Sequence, residues 1–426
     1  MEARPDASIA MEDPLNAILF TNAAVFDGER PELIRGAEVL VADGVVQELS
    51  QGGVRRPSDC EVIDLGGRTL MPGLIDAHVH IWATDLDILR LIRRRTEYLA
   101  AFAYRSLRHM LARGFTTVRD AGGTDIGYAQ ALAEGLAEGP RLLHAGRFLS
   151  QSGGHGDFRS QGDFACACEL REGGSARFAH VVDSPDEVRK AVREELRQGA
   201  HQIKIMGSGG VVSPSDPVDR MQFSDAEILA AVEEAGRHGA YVMAHCHPAN
   251  AIQRCAELGV RSIEHATLID EDAAKAVAAK GAFVVPTLAT IWALLEDGDR
   301  LGLPQVSQDK LRQVSGGALQ GLQVMRRNGL KIGFGTDLLG SLQDRQGTEF
   351  ALRAQVFSPA EILRQATSIN AELLQMGDRI GRVAPGYIAD LIAVDGDPLE
   401  DIGCLGRGGE NLPVILQGGR FHKRTL

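Results

Sequence analysis

The stretch "MPGLIDAHVHIWA", which begins at Met71, sets His78 and His80 one residue apart, with apolar residues before and between them. In a strand the side chains at i and i+2 point the same way, so both imidazoles face one space. Buried rings without partners are costly. The pair is therefore either two hydrogen-bonded core histidines or two ligands of a metal. Residues of the same chemical kind recur late in other apolar runs: Lys204 in "QIKIMG", His245 in "YVMAHCH", His265 in "SIEHA" and Asp337 in "KIGFGTD". Four imidazoles and a carboxylate suit zinc or a similar borderline ion, with the second ring nitrogens held by neighbouring acceptors. Lys204 is flanked by Ile203 and Ile205. Strand alternation sends those two to the opposite face and turns the amine inward, where an ammonium is costly unless neutralised or chemically changed.

Residues as distant as His78 and Asp337 can share an ion only if the elements that carry them converge. Eight short strands are readable: "LIDAHVHI", "FTTVRDAG", "RLLHAGRF", "QIKIMG", "YVMAHCH", "SIEHA", "FVVPTLA" and "KIGFGTD". Helical stretches lie between them. "SPDEVRKAVREELRQG" has Ser184 as N-cap and Gly199 as stop, and "SDAEILAAVEEAGRHG" has Ser224 as cap with Glu227 at the capping-box position. The alternation predicts an α/β chain whose residues 71–382 form a parallel (β/α)8 TIM barrel. Inward residues near the C-terminal rim of such a barrel meet in one pocket. The three longest connections, after Ser150, Gly207 and Thr290, leave from that rim. The flanks read differently. Within residues 1–70, the run from about Ala17 to Asp64 reads as short strands with turns marked by Gly44, Gly66 and Gly67, and residues 383–426 repeat the texture in "YIADLIAVDGDP" and "LPVILQGGRFH". The two ends are expected to build one small β-sandwich domain together.

At 426 residues, with 44% hydrophobic and 24% charged, the chain is large enough for a barrel with an appendage and globular in balance. Lysine and arginine total 45 against 57 acids, a net of −12. That sign argues against nucleic acid or an anionic membrane surface as partner. No run approaches the roughly 18 apolar residues of a membrane span. The first twenty residues have no basic segment leading into an apolar core, so no signal peptide is expected. Six cysteines spread along the chain read as free thiols of a cytoplasmic protein.

The ordered set "LIDAHVH", "IKIMGSGG", "AHCH", "IEHA" and "GFGTD", closed by "APGYIADLIAVDGDP", resembles the amidohydrolase superfamily. Within it, the set is most similar to the branch of imidazolonepropionase-related metallo-dipeptidases and ochratoxin-hydrolysing amidohydrolases. The resemblance implies two divalent metal ions, zinc by expectation: His78, His80 and Asp337 on one, His245 and His265 on the other. It implies a carbamate on Lys204, formed from carbon dioxide, bridging both, and a metal-bridging hydroxide as nucleophile. Asp337 would take the hydroxide's proton and pass it to the leaving amine. The implied activity is hydrolysis of a small-molecule amide next to a free carboxylate, in a dipeptide, an N-acyl amino acid or an ochratoxin-like N-aroyl phenylalanine amide. A homo-oligomer is implied as well.

Around these ligands, the glycines of "SQSGGHGD" permit a sharp turn that presents His155 from the rim. In similar dipeptidases a histidine of a "GGHG" stretch contacts the scissile carbonyl or its oxyanion, so the resemblance implies a catalytic and substrate-binding role for His155, the other reading being a loop histidine without a role. His247 shares a strand face with His245 and either binds a substrate carboxylate or supports a ligand. Arg220, in "PVDRMQFS", is either a bidentate clamp for that carboxylate or a solvated loop residue, and Arg159 has the same two readings. Cys166 and Cys168 read as small buried thiols, Cys246 as packed against a helix, and Trp292 as a pocket wall or ordinary packing. The rival activities are a lactonase or phosphotriesterase with the same metal pair, and a mononuclear deaminase or imidazolonepropionase, against which Lys204 speaks. An inactive scaffold should have lost ligands, and all six are present.

Overall fold

The structure, a computed structural model, describes residues 17–159, 178–213 and 216–426. Cys166 and Cys168 lie outside the described residues. Both ends of the chain meet in one eight-stranded sheet. The N-terminal part supplies Ile18–Val25, Ile34–Ala42, Val45–Ser50, Glu61–Asp64 and Thr69–Pro72; the C-terminal part supplies Leu391–Val394, Val414–Gln417 and Arg420–Arg424. The junction is the antiparallel pairing of Thr69–Pro72 with Leu391–Val394, in which Leu391 faces Pro72 and Val394 faces Thr69. Asp43 and Gly44, both at positive φ (53° and 76°), make the tight turn between Ile34–Ala42 and Val45–Ser50. Left-handed backbone at both central residues matches the twist of the strands it joins. Phe20, Val39, Val46, Leu391, Val414 and Leu416 fall in one buried apolar cluster, so strands from both chain ends share a core.

Between these ends the strands run parallel and alternate with helices. Leu74–Val79, Phe115–Asp120 and Arg141–His144 form a three-stranded sheet. Phe148–Ser150, Gln202–Met206, Tyr241–Pro248, Ser262–Leu268, Phe283–Val285 and Lys331–Ile332 belong to a seven-stranded one, with Ala179–Val181 on its edge. The ladder is thus divided between two sheets where one closed ring was expected. The division falls inside the stretch read as a single third strand: Gly146, at φ 68°, turns the chain between Arg141–His144 and Phe148–Ser150. Backbone hydrogen bonds span the gaps. Ala77 N–H donates to Phe334 O and Asp337 N–H to His78 O, each at 2.8 Å, and His201 N–H donates to His144 O at 2.9 Å.

The helix boundaries follow local chemistry. Ser184 accepts from Glu187 N–H at the start of Pro185–Arg197, and Ser224 with Glu227 forms a reciprocal capping box on Asp225–Arg237. The strands are buried along nearly their whole length because helices cover their outer faces. Ile203, Ile205, Ile263 and Val284 belong to the large apolar cluster that also takes in the helices. Among the described residues no helix is long and apolar enough to cross a membrane.

Candidate metal centre and its cavity

The Leu74–Val79 strand and the residue after it deliver three inward groups at period two: Asp76, His78 and His80. Asp76 lies deepest and accepts from Thr336 Oγ1 at 2.6 Å and Gln346 Nε2 at 2.8 Å. His78 Nδ1 donates to Glu264 Oε2 at 2.7 Å, and His80 Nδ1 to Gly122 O at 3.1 Å. Both rings are thereby fixed with the Nε2 lone pair free. Those two Nε2 atoms lie 3.5 and 3.4 Å from Asp337 Oδ1. Asp337 reaches them from left-handed backbone at φ 54°. A non-glycine residue in that region costs about 1–3 kcal/mol and persists only where its surroundings hold it.

The neighbouring strands complete the cluster. Lys204, 1% exposed, turns inward from Gln202–Met206 as alternation requires. His245 and His265 come from adjacent strands with ring centroids 4.5 Å apart, and His265 lies 4.9 Å from His78. His265 Nδ1 is 2.8 Å from Thr287 Oγ1, while His245 Nε2 is 3.1 Å from Gly209 O. His78, His265 and Asp337 offer donor atoms that all lie within 4.8 Å of one another. His78 Nε2 is buried and makes no hydrogen bond. An orphaned lone pair in such a place is expensive unless a Lewis acid meets it, so these residues fit a metal ion.

Burial dominates the electrostatics. It holds His78, His245 and His265 well below the usual imidazole range and His80 and His247 at about 3, with nearby cations adding to the effect. Neutral imidazole is the form that ligates. Burial also lowers the Lys204 amine and raises the Asp337 carboxyl; Glu264 and Asp337 oppose the first shift and Lys204 the second.

Two participants had no flag in the sequence. Glu264 and Arg119 are both fully buried and paired at 2.9 Å, with Glu264 also holding His78. Alternation along "SIEHA" would send Glu264 and His265 to opposite faces. Left-handed backbone at His265 (φ 68°) and Ala266 (φ 48°) breaks that alternation. An acid and an arginine inside apolar strands were the available signal.

The cluster floors a cavity of about 110 Å³ whose walls are largely apolar, with Trp82, Phe148, Met206, Ile291 and Leu311 among them. His155 and His247 both line it. His155 stacks on His245 at 4.3 Å between centroids, and His247 Nδ1 is 2.8 Å from Thr267 Oγ1. Arg220 is not brought to the cluster: its side chain is 75% exposed, with Asp219 3.8 Å away. Arg159 is held by Asp157 at 2.7 Å. Cys246 turns away from the cavity, with its Sγ 3.6 Å from that of Cys255 on the Ala249–Glu257 helix. Trp292 packs against the main core; the tryptophan on the cavity wall is Trp82, stacked on Phe178 at 4.1 Å.

The model of the amidohydrolase family matches residues 69–420. An ochratoxinase of Aspergillus niger is 32% identical over 366 residues, which cover 83% of this chain and 75% of the relative. A crystal structure of an amidohydrolase superposes with a TM-score of 0.93 at 46% identity, over 96% of this chain and 100% of the other. A prolidase complexed with N-methylphosphonate-L-proline gives a TM-score of 0.93 at 42% identity, over the same shares.

Proposed function

Since the chain belongs to the amidohydrolase family and is a hydrolase of amide bonds, we propose that its cavity holds two metal ions and cleaves an amide next to a free carboxylate. The observation that carries this is the buried Nε2 of His78, which makes no hydrogen bond and is set beside Asp337 among the inward imidazoles and Lys204. The chemical class of substrate is supported by the likeness to a prolidase seen with a proline phosphonate and to an ochratoxinase. In this reading residues 71–382 form a (β/α)8 barrel that carries the site, and residues 1–70 and 383–426 form a β-sandwich beside it.

His78, His80 and Asp337 would hold one ion and His245 and His265 the other, a donor set that suits zinc. Lys204 would carry a bridging carbamate: its amine nitrogen bonds to the carbon of carbon dioxide and releases a proton. Burial that lowers the amine's pKa favours the neutral form that reacts. The bound ions would supply an acidified water and a polarised scissile carbonyl. Asp337 would take the proton of the attacking water and return it to the leaving amine. His155, stacked over His245, would face charge developing on the carbonyl oxygen, and His247 would meet the substrate carboxylate.

The test is product release, followed by mass spectrometry, from N-acyl amino acids, dipeptides, an ochratoxin-type amide, a lactone and a phosphotriester. Wild type should cleave only amides beside a free carboxylate, and Asp337→Asn should cleave none. Turnover confined to the lactone or the phosphotriester would overturn the reading.

A further inference from the structure

His155 sits on a loop, yet its ring is only 14% exposed and is tied down from one side. Its backbone N–H donates to Gln222 Oε1 at 2.9 Å. Its Nδ1 lies 2.7 Å from Ser213 Oγ and 3.5 Å from Asp216 Oδ2. Ser213 Oγ in turn contacts Asp216 Oδ1. A carboxylate has no proton to give, so the Ser213 hydroxyl must donate to Asp216. Its oxygen is then left to accept, and the hydrogen between it and the ring belongs to His155 Nδ1. The direction of the whole chain is set by its buried end.

That end is itself fixed. Asp216 is 3% exposed and also accepts from Gly210 N–H at 3.0 Å and Gln222 Nε2 at 3.3 Å. Lys310 reaches across from the Gln305–Arg327 helix to the backbone carbonyls of Gly210 (3.1 Å), Ser213 (2.7 Å) and Asp216. Its Nζ lies 3.9 Å from Asp216 Oδ1. One ammonium thus clamps three carbonyls of the segment that holds the ring. A side chain at Gly210 would occupy the space of the ring, with a Cβ 2.5 Å from His155 Nε2.

We propose that Lys310, Asp216 and Ser213 are positioning residues that hold His155 over the metal-binding histidines with its proton kept on Nδ1, so that Nε2 is the atom that meets the substrate. This rests on the reading of His155 as a substrate-facing residue. A proton-bearing Nδ1 bonded to Ser213 Oγ, itself held by Asp216, keeps the ring from flipping and leaves Nε2 to face the reacting amide.

Two measurements test it. In the full chain labelled with 15N-histidine, the resonance lost in His155→Gln should show a protonated Nδ1, and that state should be lost or mixed in Ser213→Ala. In kinetics on a cleaved amide, Asp216→Asn and Lys310→Met should lower kcat by about 10- to 100-fold, the range seen for outer supports of a site. KM should stay within about twofold, as expected of a change felt only in the transition state. Lys310→Arg should restore most of the loss, and neither substitution should lower activity further in a His155→Ala background. An unprotonated Nδ1 in wild type, or an Asp216→Asn defect that persists undiminished without His155, overturns the proposal. If wild type cleaves no amide beside a carboxylate, the functional reading falls, while the nuclear magnetic resonance result still decides the positioning.

Discussion

At the scale of single residues, the centre is governed by what each polar atom lacks. His78 gives one nitrogen to Glu264 and leaves the other buried without a hydrogen bond. Glu264 in turn compensates Arg119, which also donates to Ala77 O and contacts Ser262. Removing one member of such a pair leaves a charge stranded in a medium that cannot solvate it. Glu264→Leu should therefore destabilise the protein by about 3–5 kcal/mol, whereas Glu264→Leu with Arg119→Met should recover most of that loss. Denaturant unfolding of the three proteins decides it. Equal stability of the single and double variants would show that the pair is not compensating. The single variant should also bind metal about 10- to 100-fold more weakly, because His78 loses the acceptor that fixes its ring.

Elements matter because ligands on separate strands must arrive at one depth. The run that follows Lys331–Ile332 brings Asp337 to the Leu74–Val79 strand through Ala77 N–H to Phe334 O and Asp337 N–H to His78 O. Gly335 sits between those bonds, and a Cβ there would lie 2.6 Å from Val285 Cγ1 and 2.8 Å from His78 Cβ. His78 Cβ is bonded to the backbone, so that side can give way only if the strand moves. Gly335→Ala should push the two strands apart, with a destabilisation of about 1–3 kcal/mol for the overpacking. The sharper consequence is at the site, where Asp337 would be carried away from the Nε2 atoms of His78 and His80. Titration of the apoprotein with zinc should show weakened binding beyond what the stability loss explains. Binding unchanged from wild type would mean that the glycine serves only the packing against Val285 and His78.

At the scale of the molecule, the chain ends are tied together and to the parallel strands. Leu391–Val394 pairs with Thr69–Pro72, immediately before the strand of His78. Asp390, 3% exposed, accepts from Arg141 at 2.5 Å and from Gly418 N–H at 2.7 Å. A chain stopped after Asp390 keeps every metal-binding candidate, yet strips the partner strand from Thr69–Pro72 and uncovers Phe20 and Leu70. We expect it to lose the cooperative thermal transition of the full chain, as followed by circular dichroism; a transition at the same temperature would show that the terminal sheet is dispensable. How much of this was legible follows from the range of each interaction. Strand alternation and capping act within a few residues, so the inward turn of His78, His80 and Lys204, the caps at Ser184 and Ser224, and the likeness of the chain ends could be read from the sequence alone. Contacts between distant segments could not. The grip of Glu264 on His78 needs left-handed backbone at His265, the break between the two parallel sheets needs the turn at Gly146, and the hold of Lys310 on the segment facing His155 joins residues about a hundred positions apart. Nothing local marks such meetings, because each is fixed only when the strands and helices that carry them have packed.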